Sequence, residues 1–286
     1  MILAFEIGGS RIRAARVQGA VLEPLGECPT PADDLSAFVA ALRGFLTDET
    51  VVSLSIAGVV DPISGRIIVA NIPCLNGRAV AADLTAALGR PVTVLNDADC
   101  FALAEARHGA GRGHASVFAL ILGTGVGGGL VMNGRLVSGP GGIAGEWGHG
   151  PVVRGAYALP CGCGQVGCLD QLGGARGLER LHRLIHGHDL SAPEIVTNWR
   201  NGDASALASI TEWRAILGGP LAMLVNTLGV TCLPVGGGLS NAPDLIAALD
   251  ETVRAGILRA TDAPLLVPAQ LGADAGLIGA AEAGAG

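Results

Sequence analysis

Two stretches of this chain, LAFEIGGSRIRAARV (residues 3–17) and VFALILGTGVGGGLVM (117–132), follow one plan: an apolar strand, a glycine-rich turn, a second strand. Each opens a half of a 286-residue chain, and strand-like runs then alternate with Ala- and Leu-rich helical stretches. That alternation indicates an α/β class. The repeated opening predicts a duplicated architecture, with two lobes facing each other across a cleft and a boundary near residues 109–116 (GAGRGHAS). No low-complexity linker separates the halves, so the lobes are expected to share an interface.

A third glycine cluster, LPVGGGLSNAPDLIAALD (233–250), runs from a strand through Gly236, Gly237 and Gly238 into a helix that Ser240 or Asn241 could start, with Pro243 early in it. Glycine turns expose backbone N–H groups and admit phosphate closely. None of the three fits the GxxxxGK[ST] loop, or GxGxxG followed by a distant acid. A single such turn is more often a tight hairpin; three in a duplicated layout favour a nucleotide. Glycine is 45 of 286 residues, about twice the usual ~7%. The uncharged run from Ala115 to Gly134 is long enough to raise a membrane span. Five of the seven residues from Gly123 to Gly129 are glycine, however, which reads as a turn between buried strands.

Net charge is −7 with no basic run, which argues against nucleic acid as a partner. The opening MILAFEIGGS enters a strand at once and carries Glu6, unlike a signal peptide. A cytoplasmic protein with no membrane partner is expected, its seven cysteines being thiols or ligands.

Three of those cysteines crowd into CGCGQVGCLD (161–170). Three thiols cannot pair off as disulfides, so Cys161, Cys163 and Cys168 suggest a metal knot lacking one ligand. His149, in GEWGHGPVV, is separated from Cys161 by eleven residues and completes a ligand set for a closed structural Zn²⁺ site. Such a site fixes His149 so that its other ring nitrogen points at a ligand, with Glu146 beside it. Cys28, Cys74, Cys100 and Cys232 read as small buried residues, and His108, His114, His182, His186 and His188 as surface residues. In VTVLNDADCFALAEARHGAG (92–111) Asn96 and Asp97 fall where a strand meets a helix that Gly109 can end. Either they cap that helix, or Asp97 faces the cleft to take a proton from a hydroxyl while Asn96 fixes a neighbouring one. The local sequence leaves both readings open.

Taken in order, these segments resemble the ROK family of bacterial sugar kinases over essentially the whole chain. FEIGGSRI is similar to that family's first phosphate motif, and ILGTGVGGGLVMNGRLVSGPGGIAGEWGH to its second phosphate segment and sugar-binding Glu-x-Gly-His element. CGCGQVGC matches its zinc loop and PVGGGLS its adenosine segment. The resemblance implies an actin-like ATPase (ribonuclease H-like) fold, two lobes around a central cleft with a small zinc loop. The N-terminal lobe would span 1–114, completed by a C-terminal helix over 273–286, and the C-terminal lobe 115–272.

It further implies transfer of the ATP γ-phosphate, with Mg²⁺, to the 6-hydroxyl of a hexose or N-acetylhexosamine, in a homodimer. Asp97 would be the general base. Gly58, Asn71, Asn96, Glu146, His149 and Asp170 would hold the sugar with it. Glu6, Gly8, Gly9, Ser10, Arg11, Gly123, Thr124, Gly125, Gly127, Gly128, Gly237 and Gly238 would hold the nucleotide. NIPCLNGRAVAADL, NDADCFALAEA and CGCGQVGC look most like the members that act on N-acetyl-D-glucosamine. Glucokinase, fructokinase and N-acetylmannosamine kinase branches are the alternatives. Glu146 speaks against the last, several of whose members carry His there. The short His149-to-Cys161 spacing is the commoner family pattern, not the longer insert of the N-acetylglucosamine kinases. Two positions depart from the family: Glu6 stands where the motif has Asp, displacing the carboxylate by roughly 1.5 Å, and Asp170 stands where a sugar-contacting Glu is usual. A catalytically impaired sugar sensor is therefore a competing reading. The family's repressors carry a helix-turn-helix ahead of the first phosphate motif, for which a motif at residue 6 leaves no room.

Overall fold

The computed structural model of the protein describes residues 1–48 and 51–285. The chain opens with β1 (Ile2–Ile7), β2 (Arg11–Gln18), β3 (Val21–Pro29), α1 (Leu35–Arg43) and β4 (Val52–Ile56). The short pair β5 (Val59–Val60) and β6 (Ile67–Ile68) precedes α2 (Val80–Leu88), β7 (Val92–Asn96) and α3 (Asp97–His108). Then come β8 (Ser116–Leu122), β9 (Val126–Met132), β10 (Arg135–Val137), the one-turn α4 (Asp170–Gly173), α5 (Ala175–His186) and α6 (Ala192–Arg200). The chain ends with α7 (Ala204–Leu228), β11 (Leu233–Gly236), α8 (Pro243–Gly256), β12 (Leu266–Pro268) and α9 (Ala275–Gly284).

The chain divides into two compact units, Met1–Arg112 with Gly129–Ala144 and the segment from Leu271 onward, and Gly113–Gly128 with Gly145–Gln270. The duplication foreseen from the two openings is visible in the sheets. One has the order β3-β2-β1-β4-β7, the other β10-β9-β8-β11-β12. In each, the first strand of the repeat is central, an antiparallel pair extends one side and parallel strands the other.

The glycines after Val126 do not form a turn. Gly123–Gly125 makes the turn, and Gly127, Gly128 and Gly129 lie within β9. They are glycine because neighbours press on the strand: a Cβ on Gly128 would meet Phe118 at 2.9 Å and Trp147 at 3.0 Å. A Cβ on Gly129 would meet Ala102 Cβ at 2.6 Å and the Ala98 carbonyl at 2.9 Å, which seats this part of β9 on α3. Gly129–Ala144, expected with the later half of the chain, accordingly groups with the first unit. The uncharged run is thus two strands. Among the described residues no helix is long and apolar enough to cross a membrane.

The first unit's core is Leu3, Phe5, Ile7, Ile12, Phe38, Leu42, Leu54 and Ile56, drawn from alternate or continuous apolar positions of the strands and from α1. The small-residue C-terminal helix is observed as α9; of the expected span, Gly286 lies outside the described residues. A Cβ on Gly279 would fall 1.8 Å from the Cys100 carbonyl, so α9 and α3 touch through their backbones. Glu105 of α3, fully buried, accepts from Ala110 N at 2.9 Å and from Leu271 N at 2.8 Å, tying the chain's exit from this unit to its return. The second unit is built around α7, whose buried Trp213 donates to the Gly173 carbonyl at 2.9 Å. The start of α8 departs from expectation: Ser240 and Asn241 belong to a 3₁₀ turn, and Ala242 precedes Pro243 without a side-chain cap.

Candidate active site and metal knot

In the first unit, the β1–β2 turn closes through Gly8 N donating to the Arg11 carbonyl at 2.9 Å, and Thr30 Oγ1 braces it by donating to the Gly8 carbonyl at 2.7 Å. A Cβ on Gly9 would lie 2.8 Å from Asn71 Cβ, so only glycine lets the turn sit against Asn71. Glu6, Gly8, Gly9, Ser10, Arg11 and Asp97 line one cavity of about 660 Å³. Arg11 is spent partly on Glu27, 3.2 Å away, with both side chains more than half exposed. That pair is worth little in water.

The ambiguity at residues 96–97 resolves into two jobs. Asn96 Oδ1 accepts from Ala98 N at 2.7 Å and Asp99 N at 3.3 Å, which makes it the cap of α3. Its Nδ2 donates to the Gly58 carbonyl at 3.0 Å, leaving a second amide N–H for a ligand. Gly58 cannot be larger, since a Cβ there would lie 2.8 Å from the Ile68 carbonyl. Asp97, one residue on, is in the cavity wall with Glu6 and the glycine turn. Asn96 is thus the cap, while Asp97, whose Oδ1 also accepts from Ala98 N at 2.9 Å, is the one of the two that lines the cavity.

In the second unit three glycine segments converge. A Cβ on Gly237 (φ +85°) would lie 2.5 Å from Leu122 C, and one on Gly174 2.5 Å from the Gly125 carbonyl. Ala175 N donates to the Gly123 carbonyl at 2.7 Å, so the head of α5 rests on the Gly123–Thr124–Gly125 turn. Gly174 and Ala175 were not foreseen; the GG pair ahead of ARGLERL was the available signal. Asp170 serves the same turn: its Oδ1 accepts from Val126 N at 2.9 Å, and a Cβ on Gly125 would come within 2.3 Å of that oxygen. Beside Gly238 lies a largely apolar pocket of about 270 Å³, walled by Ala175, Pro193, Val196, Thr197, Arg200 and Leu239.

The Glu-Trp-Gly-His element is a 3₁₀ turn (Trp147–His149) docked on the start of β9. Trp147 Nε1 donates to the Gly127 carbonyl at 2.9 Å, and Gly148 is pressed against Val126, where a Cβ would lie 2.9 Å from the carbonyl. Trp147 is the anchor that sequence reasoning missed. It holds Glu146 and His149 on either side. His149 presents Nδ1 to Cys161 Sγ at 3.6 Å and Nε2 toward Glu146 Oε2 at 3.8 Å.

His149, Cys161, Cys163 and Cys168 bring one ligand atom each within 4.8 Å of one another, and Cys163 and Cys168 Sγ are 3.6 Å apart. Tetrahedral Zn²⁺ with sulfur at ~2.3 Å requires S···S near ~3.7 Å, so the set fits zinc. The thiols resist ionising together. The Gln165 backbone N–H and the neighbouring thiols draw Cys163 down to about 6, while burial and those neighbours push Cys168 up to about 12. A dication removes that conflict.

Two readings need correction. His182 is fully buried, with Nδ1 2.9 Å from Ser209 Oγ and Nε2 3.2 Å from His188 Nε2. It lies on the face of α5 turned to α7, and Gly187, at φ +78°, folds His188 back over it. Cys28 and Cys74 are only partly buried, unlike Cys100 and Cys232.

The comparisons with known proteins agree with this construction. The model of the ROK family matches residues 2–283. The chain is 36% identical over 300 residues to an N-acetylgalactosamine kinase, AgaK, of Shewanella sp. (strain ANA-3), covering 100% of this chain and 97% of that one. It is 34% identical over 297 residues to an N-acetyl-D-glucosamine kinase of Salmonella paratyphi C (strain RKS4594), covering 98% of each. Its fold is similar to a ROK family glucokinase from Streptomyces griseus solved with glucose and AMPPNP, at TM-score 0.78 and 29% identity, covering 99% of each chain. The architecture is that of the actin-like ATPases. With a glycine turn in each unit, Asp97 in one cavity with the first of them and the His/Cys cluster in place, the chain belongs to the ROK family, in which it is a sugar kinase.

Proposed function

We propose that this chain transfers the γ-phosphoryl group of ATP to the 6-hydroxyl of an N-acetylated amino sugar, with N-acetyl-D-glucosamine the first substrate to expect. The observation that carries the reading is the placement of Asp97 in one cavity with the Gly8–Gly9 turn while Asn96 caps the helix. Asp97 accepts the hydroxyl proton as the sugar oxygen bonds to phosphorus and the bond to the ADP oxygen breaks. Gly58, Asn71 and Asn96 are the sugar-binding residues this reading assigns in the first unit, and Glu146, His149 and Asp170 those it assigns in the second.

The second unit's 270 Å³ pocket beside Gly238 has the apolar walls that a purine base requires. Thr124 and the Gly123, Gly125, Gly127, Gly128 and Gly237 backbones serve the phosphates. Glu6 and Asp97 offer the oxygen donors that Mg²⁺ prefers and would hold it or its waters. When bound, Mg²⁺ neutralises charge on the phosphates. The zinc knot holds His149 and, through Gly167–Asp170, the loop behind Asp170. The proposal includes a cytoplasmic homodimer.

N-acetyl-D-galactosamine is the second reading, supported by the 36% identity to AgaK. A coupled ADP-release assay decides between them and tests the whole reading. It should run over N-acetylglucosamine, N-acetylgalactosamine, N-acetylmannosamine, glucose, mannose and fructose. A preference for N-acetylglucosamine by kcat/KM is expected; no turnover with any sugar would leave the sensor reading standing.

A further inference from the structure

Glu6 and Arg13 are register partners across the antiparallel β1–β2 pair, and their side chains meet: Arg13 Nη1 donates to Glu6 Oε2 at 2.7 Å. Partners so placed lie on one face of a sheet within easy reach of each other. The same guanidinium carries on to the segment before α9, with Nη1 donating to the Ala273 carbonyl at 2.8 Å and Nη2 to Asp274 Oδ1 at 2.8 Å. A planar fork of N–H groups can bridge two carboxylates in this manner; a lysine ammonium holds no such geometry.

The other edge of the Glu6 carboxylate is shaped by small residues. A Cβ on Gly276 would lie 3.0 Å from Glu6 Oε1 and 3.4 Å from Ser55 Oγ. Ser55 pairs with Glu6 in register on β4. It is fully buried, its hydroxyl has no oxygen or nitrogen partner among the described residues, and it lines the same cavity as Glu6 and Asp97. The Cys100 thiol beside it is only a weak partner. A buried hydroxyl of this kind costs stability unless a ligand or water completes it.

We propose that Arg13 is a positioning residue for the phosphate end of the site: it locks Glu6 by Oε2 so that Oε1, together with the Ser55 hydroxyl, faces the nucleotide and its cation. Four elements combine in this arrangement, namely β1, β2, β4 and the segment before α9. It explains how the longer Glu6 side chain is held to one place. The proposal rests on the kinase reading above. A rival account makes Arg13 a mere strap between β2 and the C-terminal segment, acting on the fold and not through Glu6.

Calorimetric titration of the purified full chain with AMP-PNP and Mg²⁺ separates the two, using Arg13→Ala, Arg13→Lys, Glu6→Gln and the Glu6→Gln/Arg13→Ala double variant. Arg13→Ala should weaken Mg²⁺–AMP-PNP binding by about tenfold or more, the effect of one charge-assisted hydrogen bond. Arg13→Lys should recover part of that loss, and KM for the sugar should stay within about twofold, as for a site left untouched. In the Glu6→Gln background Arg13→Ala should add little, because the residue it acts through is already neutral. Unchanged nucleotide affinity in a folded Arg13→Ala variant overturns the proposal. So does an equal loss in both backgrounds, which marks a strap. A wild-type protein that binds Mg²⁺–AMP-PNP but never turns over sinks the kinase reading alone; one that binds no nucleotide sinks both.

Discussion

Cys161 Sγ faces His149 Nδ1 at 3.6 Å while the other nitrogen of that ring lies 3.8 Å from Glu146 Oε2, so a single imidazole joins the cysteine cluster to the carboxylate proposed to hold the sugar. Purified protein should therefore contain about one zinc per chain, as four-ligand Cys₃His sites do. Cys163→Ser should lower the zinc content measured by plasma emission and raise the sugar KM, because His149 and the Asp170 loop lose their anchor. Full sugar affinity in zinc-free protein would break that coupling.

Asp97→Asn keeps the side chain's size and removes its basicity. Turnover should fall by ~10²–10⁴, the usual contribution of a placed base, with folding and zinc content retained. Sugar binding by calorimetry should persist. Asparagine keeps an amide oxygen for the Ala98 N–H that Asp97 Oδ1 now accepts at 2.9 Å, and Asn96 still supplies the cap; substantial residual turnover would remove Asp97 from the base role.

How much of this was readable in advance depended on whether the chemistry was local. The candidate metal cluster was legible because three thiols within eight residues leave one sulfur that no disulfide can use, and a metal ion would take all three at once. Asn96 and Asp97 were not separable, since both residue types cap helices and only the backbone direction at the strand end decides which one does. The Glu6–Arg13 pair lies two residues to either side of a short glycine turn, yet the need for it shows only when Asp274 returns from the far end of the chain. Gly127–Gly129 were misjudged as a turn because glycine in a strand signals close approach only when the approaching group, here Trp147 or α3, is known.

Trp147→Phe tests how the turn proposed to hold the sugar is anchored. It keeps much of the ring volume against β9 and deletes the bond to the Gly127 carbonyl, at a cost of about 1 kcal/mol. Because Glu146 and His149 flank this anchor, the sugar KM should rise several-fold with kcat little changed. A variant whose kinetics match wild type would show that the zinc alone fixes the turn.

His182 gives stability a pH dependence with a definite sign. Burial first, and then the charges of His186 and His188, hold its pKa below the ordinary value of 6.5, against a smaller opposing pull from Asp203. The unfolded chain therefore binds this proton more readily than the folded one. Stability from this group is complete above pH 6.5 and is lost as pH falls below that value toward the folded pKa. Urea midpoints at about pH 7.5, above the ordinary value, and at about pH 5.5, below it, should show a drop that His182→Gln reduces. An equal drop in the variant would assign the effect to other groups.

The return of α9 to the first unit sets an order of events during synthesis. Strands β1, β2 and β4 leave the ribosome early, but the helix that covers them, and the Asp274 that fixes Arg13, follow only after the whole second unit. Until α9 is made, the sheet face it covers lacks that neighbour, so the early half of the chain must wait partly exposed while the second unit, Gly113–Gly128 with Gly145–Gln270, is already complete. The later unit should thus mature first, and a chaperone should find its substrate in the half that was made first.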